Sequence, residues 1–198
     1  MWEPWLSIGF IGGNGRGNMA SINELIIPQW EIDNIMQQKK IVNFNHAIWS
    51  KKQFNQPEPA WLKLALPVFD ENQLPITHLK LQWQYRPARR AELIPEMNFM
   101  AMYKNRRLFA VDQGQNISHH NAFTDVLPTP PTRIEGCHYH LLHEKHNQET
   151  GYPIEKKIEK TDDFFFFSEY FLEQFNCSYT GKIPHPIYSN NGQMELSL

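Results

Sequence analysis

The 198-residue chain predicts an α+β fold. Its centre is an antiparallel β-sheet, a meander plus a hairpin, packed by an aromatic-rich C-terminal helix and a short N-terminal helix. Three observations predict it. In "LKLQWQYR", Leu79, Leu81, Trp83 and Tyr85 share one face of a period-two segment, and Lys80, Gln82, Gln84 and Arg86 share the other. "MNFMAMY" and "RLFAVD" flank Lys104-Asn105-Arg106, which reads as a hairpin turn. Phe164, Phe167, Phe171 and Phe175 recur at helical spacing and form a stripe that needs a sheet to cover.

The elements follow in order. "WLSIGFIG" reads as a short strand, and "GGNGRGN" (Gly12 to Asn18) as a glycine turn. That turn lacks the phosphate-binding Walker pattern and a complete G-x-G-x-x-G. Pro28 opens a helix at its first position, with Ile32, Ile35 and Met36 on one face, ending near Lys39-Lys40. "IVNFNHAIW" reads as a strand, Lys51 to Pro59 as a loop, and "WLKLALPVF" as a strand before the meander. "LPTPPT" is extended, because prolines restrict themselves and the residue before them. "GCHYHLLH" then pairs in a hairpin with "YPIEKKI". Thr161 or Asp162 caps a helix from Asp163 to about Asn176. The expected organisation is one domain over 1–198. Residues 1–70 form an N-terminal extension, 79–178 a core and 179–198 an irregular tail.

Composition narrows the class. Aromatics are 13% and charged residues 20%, which suits a globular protein. The two cysteines, Cys137 and Cys177, form no spaced motif and read as free thiols. No window approaches the roughly 18 apolar residues of a membrane span. A cytoplasmic protein without a membrane partner is expected. The net charge of −2 hides an asymmetry. From Lys80 to Arg107 seven basic residues face two acids, and from Glu144 to Glu173 eight acids face four lysines. The basic middle could meet phosphates, with Arg86, Arg89 and Arg90 as the counter-charges.

The chemistry concentrates in "GCHYHLLHEKH". On a strand, His138 and His140 share a face, while Cys137, Tyr139 and Leu141 share the other. His143 and His146 then lie near the loop, in solvent. Two neutral imidazoles at i and i+2 can hold one divalent metal, with Glu144 as a third ligand. A second cluster, Ser118-His119-His120-Asn121, precedes them. His119 or His120, with Asn121, could meet His138 and His140 across neighbouring strands. Together they could act as acid and base on a phosphodiester without a metal. The spacing His138-x-His140-x₃-Glu144-x₆-Gly151 is similar to the first metal motif of cupins, but the upstream glycine and the second motif are missing. A His-Asn-His nuclease is disfavoured, because no helix with a distal histidine follows His119-His120-Asn121 at suitable spacing.

"RLFAVDQGQNISHHNAF", "IEGCHYHLLHE", "GYPIEKK" and "FFFFSEYFLEQFNCS" together resemble a small bacterial family known only as a domain of unknown function. The resemblance covers about residues 79–178. It implies that Asp112, His119 and Asn121, then His138, His140 and Glu144, belong to one site, and it supplies no activity. The expected function is a bacterial or phage accessory protein whose histidine-lined site binds or processes nucleic acid. One alternative is a non-enzymatic inhibitor or accessory factor binding a protein of a defence or counter-defence system. Another is a cupin-like metal-dependent enzyme.

Overall fold

Period-two sequence becomes a two-faced sheet. A computed structural model of the chain describes residues 25–53, 57–90, 93–114, 117–154 and 164–188. It contains α1 (Gln29–Gln37), β1 (Lys40–Asn43), β2 (Ser50–Lys51), β3 (Leu62–Phe69), β4 (Pro75–Arg86), β5 (Glu96–Tyr103), β6 (Arg106–Gln113), β7 (Ser118–His120), β8 (Arg133–Glu135), β9 (His138–His143), β10 (Gln148–Pro153), α2 (Phe164–Gln174) and β11 (Cys177–Thr180). One sheet has the order β10-β9-β6-β5-β4-β3-β1-β11, with β2 pairing beside β3. A small two-stranded sheet, β7-β8, stands apart. All pairs are antiparallel except β1 with β11. The fold is α+β, as the alternation predicts. No helix among the described residues is long and apolar enough to cross a membrane.

The meander turns where the sequence says. Lys104 and Asn105 both have positive φ, at 47° and 64°. That is the left-handed pair whose twist matches a two-residue hairpin. The apolar face of β4 carries Leu79, Leu81, Trp83 and Tyr85, all buried. The phenylalanine stripe of α2 packs against this face. Phe171 lies 6.0 Å from Trp83 and 5.3 Å from Phe109, and Phe164 lies 5.7 Å from Phe99, ring centre to ring centre. α2 lies over this apolar face, and β11, which follows it, pairs parallel to β1 at the edge of the sheet opposite β10.

Several elements depart from expectation. Pro28 precedes α1 as its cap residue instead of occupying the first helical position. Of the strand expected over "IVNFNHAIW", only Ile41 to Asn43 lie in a strand, β1. "YPIEKKI" contributes only Tyr152 and Pro153 to β10, which begins earlier, at Gln148. Within residues 25–70, α1, β1 and β3 belong to the main sheet and its cover. Tyr179 and Thr180 finish β11, and Ile183 is buried. The first predicted strand, the glycine turn and the caps Thr161 and Asp162 lie outside the described residues.

The C-terminus of α1 is closed by two side chains. Lys40, 1% exposed, donates from Nζ to the carbonyls of Ile35 (2.5 Å), Gln38 (2.6 Å) and Met36 (3.2 Å). Asn176 Nδ2 donates to Gln37 O at 2.5 Å. Four consecutive carbonyls that a helix end leaves unpaired are thus all satisfied. Burial pushes the Lys40 amine down to about 8, which leaves it an ammonium at neutral pH. Its charge sits where the helix dipole favours a cation. Lys40→Met should therefore cost about 2–4 kcal/mol, because it strands buried carbonyls. Chemical denaturation of the variant beside the parent measures this.

Candidate metal centre

β9 delivers both of its alternating histidines to the polar face of the sheet. Tyr139 and Leu141 pack against the apolar core, so His138 and His140 must point the other way. The register sets Asp112 of β6 opposite His138, and Ala110 opposite His140. β7 adds His119 from the small sheet above. The pleat again chooses: His119 is half-buried while Ser118 and His120 are exposed. One ring nitrogen from each of His119, His138 and His140 lies within 4.8 Å of those of the other two. A cleft of about 300 Å³ opens beside them, walled also by Trp61, Asn98, Arg107 and Asp112.

Hydrogen bonds assign the tautomers. His138 Nδ1 is 2.7 Å from the Gly136 carbonyl. A carbonyl only accepts, so Nδ1 carries the proton and Nε2 keeps a lone pair. His140 Nε2 is 3.1 Å from Asp112 Oδ2 and donates to that carboxylate, leaving Nδ1 with the lone pair. His119 Nε2 is 3.0 Å from Asn121 Oδ1. Asn121 is fixed by three backbone bonds. Nδ2 donates to Pro131 O (2.6 Å) and Gly151 O (3.0 Å), and Oδ1 accepts from Gly151 N (2.7 Å). Its oxygen therefore faces His119, whose Nε2 must donate and whose Nδ1 keeps a lone pair. Each imidazole has one nitrogen held by an oxygen acceptor and one lone pair to offer. Metal-binding histidines are oriented in this way. His140 Nδ1 is buried and has no hydrogen-bond partner among the described residues, a costly state for a polar atom unless something binds it.

The charges around the cluster are paired unequally. Arg107 grips Glu149 with Nε and Nη2 and approaches Asp112 Oδ2 at 3.5 Å. Asn98 Nδ2 donates to Asp112 Oδ1 at 3.0 Å. Glu149 Oε2 lies 3.9 Å from the orphaned His140 Nδ1. Burial opposes the charge on Asp112, but the His140 N–H, Arg107 and Asn98 outweigh it and hold the carboxyl at about 2. Burial pushes Glu149 up, against the pull of Arg107. Burial lowers His140 below the usual imidazole value, and lowers His119 too, with His138 adding to the effect there. Both rings are neutral at neutral pH, the form that binds metal.

Not every candidate reaches the site. His138, His140, His119 and Asn121 meet. His120 points away, because it alternates with His119. Glu144 is exposed and lies outside the cluster, since β9 ends at His143 and a 3₁₀ turn (Glu144–His146) carries it off. Its carboxylate instead accepts from Gln29 N at 2.7 Å, at the positive end of α1. His143 is buried, not solvated, with Nε2 3.2 Å from Tyr152 Oη, which donates to Pro128 O. Arg86 is tied to Glu96 and stacks over Trp61. Arg89 and Arg90 are exposed. Arg107 and Glu149 were not singled out by the sequence. Arg107 is paired on β6 and Glu149 on β10, and apart from the place of Arg107 in the basic segment only that pairing brings them to the site. No family model matches the chain, and no curated protein or solved structure matches it.

Gly151 gives the site its spacing. A Cβ there would stand 2.6 Å from His119 Cδ2 and 3.1 Å from Ile134 Cδ1, so Gly151→Ala must push His119 off the cluster. We expect it to weaken binding of a transition metal at least about tenfold while the far-ultraviolet circular dichroism holds, the size of loss typical when a ligand's support is removed.

Proposed function

We propose that this chain is a metal-dependent enzyme that hydrolyses a small polar substrate at a centre formed by His119, His138 and His140. The observation that carries the reading is the hydrogen-bond set: three imidazoles, each with one nitrogen held by an oxygen acceptor and the other left for a ligand, gathered beside a cleft. Three protein ligands and an open position distinguish catalytic from structural zinc sites. Imidazole ligands suit zinc, iron, nickel or copper. A metal held this way would lower the pKa of a bound water towards neutrality and make it a nucleophile. Asp112, Gly136 and Asn121 would orient the ligands, and the cleft would seat the substrate.

A metal with N ligands at about 2.1 Å in a tetrahedral site brings them to ~3.4 Å apart. The cluster therefore needs to contract by roughly an ångström on binding.

A second reading keeps nucleic acid as the substrate. Glu96 lines both the cleft and a smaller groove that Arg86 and Arg89 also line. A phosphodiester backbone could run along that groove into the site. Binding that weakens steeply as salt is raised would favour this reading.

The first test is metal content after loading with Zn²⁺ and desalting. About one equivalent is expected in the parent, none in His138→Ala/His140→Ala, and an unchanged value in His120→Ala and Glu144→Gln. No retained metal in the parent sinks the proposal. Metal binding needs neutral rings, and burial keeps His119 and His140 below the ordinary imidazole value of 6.5. Proton competition at these two rings should therefore set in only below about pH 6.5, read from Zn²⁺ affinity across pH 8 to 5.

A further inference from the structure

We infer that the loaded centre takes a small oxyanion, a carboxylate or a phosphate group, held by Arg107 while Glu149 turns from Arg107 to the metal. The inference rests on the metal reading above and names the substrate class for the same site.

The placement of charged groups around the cluster carries the inference. Around the three histidines stand the carboxyl groups of Asp112 and Glu149 and the guanidinium of Arg107. Their side chains are only 18%, 24% and 28% exposed. Glu96, on the cleft wall, is already balanced by Arg86. Arg106 adds its field at Glu149, so the two carboxylates are already matched by two guanidiniums before any metal enters. Partly buried net charge is unfavourable. A divalent cation therefore leaves the site with excess positive charge, which an anionic group on the substrate offsets.

Geometry says where that group goes. Glu149 Oε2 is 3.9 Å from His140 Nδ1, the lone pair that would face the metal. A small side-chain rotation brings the carboxylate into the ligand shell, where a dication attracts it more strongly than Arg107 does. Arg107 is then left with Asp112 at 3.5 Å and a guanidinium edge lining the cleft. A planar guanidinium is the group best shaped to hold a carboxylate or phosphate through two hydrogen bonds. The cleft, about 300 Å³, has the volume of a small-molecule site.

The test uses the full chain loaded with Co²⁺, whose visible spectrum reports its ligands. Acetate, inorganic phosphate and neutral acetamide are titrated separately. We expect one or both oxyanions to change the spectrum at millimolar concentration and acetamide to leave it unchanged. Whichever oxyanion binds tighter identifies the substrate group. Arg107→Lys should weaken oxyanion binding about tenfold with Co²⁺ stoichiometry intact. Glu149→Gln and, as a check on folding, Glu149→Asp should be compared for metal affinity, with a loss of about tenfold expected in the first. If Co²⁺ binds at one equivalent but acetamide competes equally, or Arg107→Lys changes nothing, the substrate inference falls and the metal centre stands. If Glu149→Gln binds Co²⁺ as tightly as the parent, the carboxylate switch falls. A short oligonucleotide displacing the oxyanions at low salt would overturn the small-molecule reading in favour of nucleic acid. If Co²⁺ is not retained, both proposals fall together.

Discussion

β9 has to serve two environments with six residues, and the pleat is what lets it. Tyr139 and Leu141 seal the aromatic core over α2, while His138 and His140, between and beside them, face the polar cleft. A one-residue slip would send imidazoles into the phenylalanine layer and a tyrosine into the cleft. The register is therefore pinned from both sides: core packing below, and Asp112 and the Gly136 carbonyl above. The site's precision comes from the same hydrophobic burial that stabilises the sheet. β9 is also an inner strand, bonded to β6 and β10, so its histidines sit on the stiffer part of the fold.

α1 shows the same economy at the margin of the sheet. Its own sequence provides no side-chain cap. Glu144, from the β9–β10 turn, satisfies its start, and Lys40 and Asn176 satisfy its end. Nine residues of helix are too few to be stable alone. The long-range caps make α1 conditional on the hairpin that carries the histidines and on the α2–β11 junction. Ends that seem unrelated to the cleft are thus coupled to its frame.

These couplings explain what the sequence could and could not reveal. The alternation in Leu79 to Arg86, the positive-φ pair Lys104-Asn105 and the Phe164–Phe175 stripe are local patterns, and each produced the expected element. The shared face of His138 and His140 is legible for the same reason. Glu144 was misplaced because its spacing from His138 and His140 was carried past the end of the strand, where the chain makes a 3₁₀ turn. Glu149 and Arg107 were invisible because they reach the site through pairing, and register between strands is not written in either strand alone. β11 was missed because four residues, Cys177 to Thr180, gain their identity only from β1, far away in sequence.

The three histidines are not equivalent, and the difference decides how the cluster can close. His138 and His140 are fixed by the central sheet and by acceptors that do not move without breaking it. His119 stands on the small β7–β8 sheet, joined to the main one through Asn121 and Gly151. Contraction by an ångström is cheapest where fewest packed atoms must follow, so it falls to His119. Asn121, held by Pro131 O and both backbone groups of Gly151, stays in place as the point about which the His119 ring turns. A metal would then tie the small sheet to the large one. The same bond that completes the coordination would narrow the cleft and exclude water from it, which strengthens every charge interaction inside.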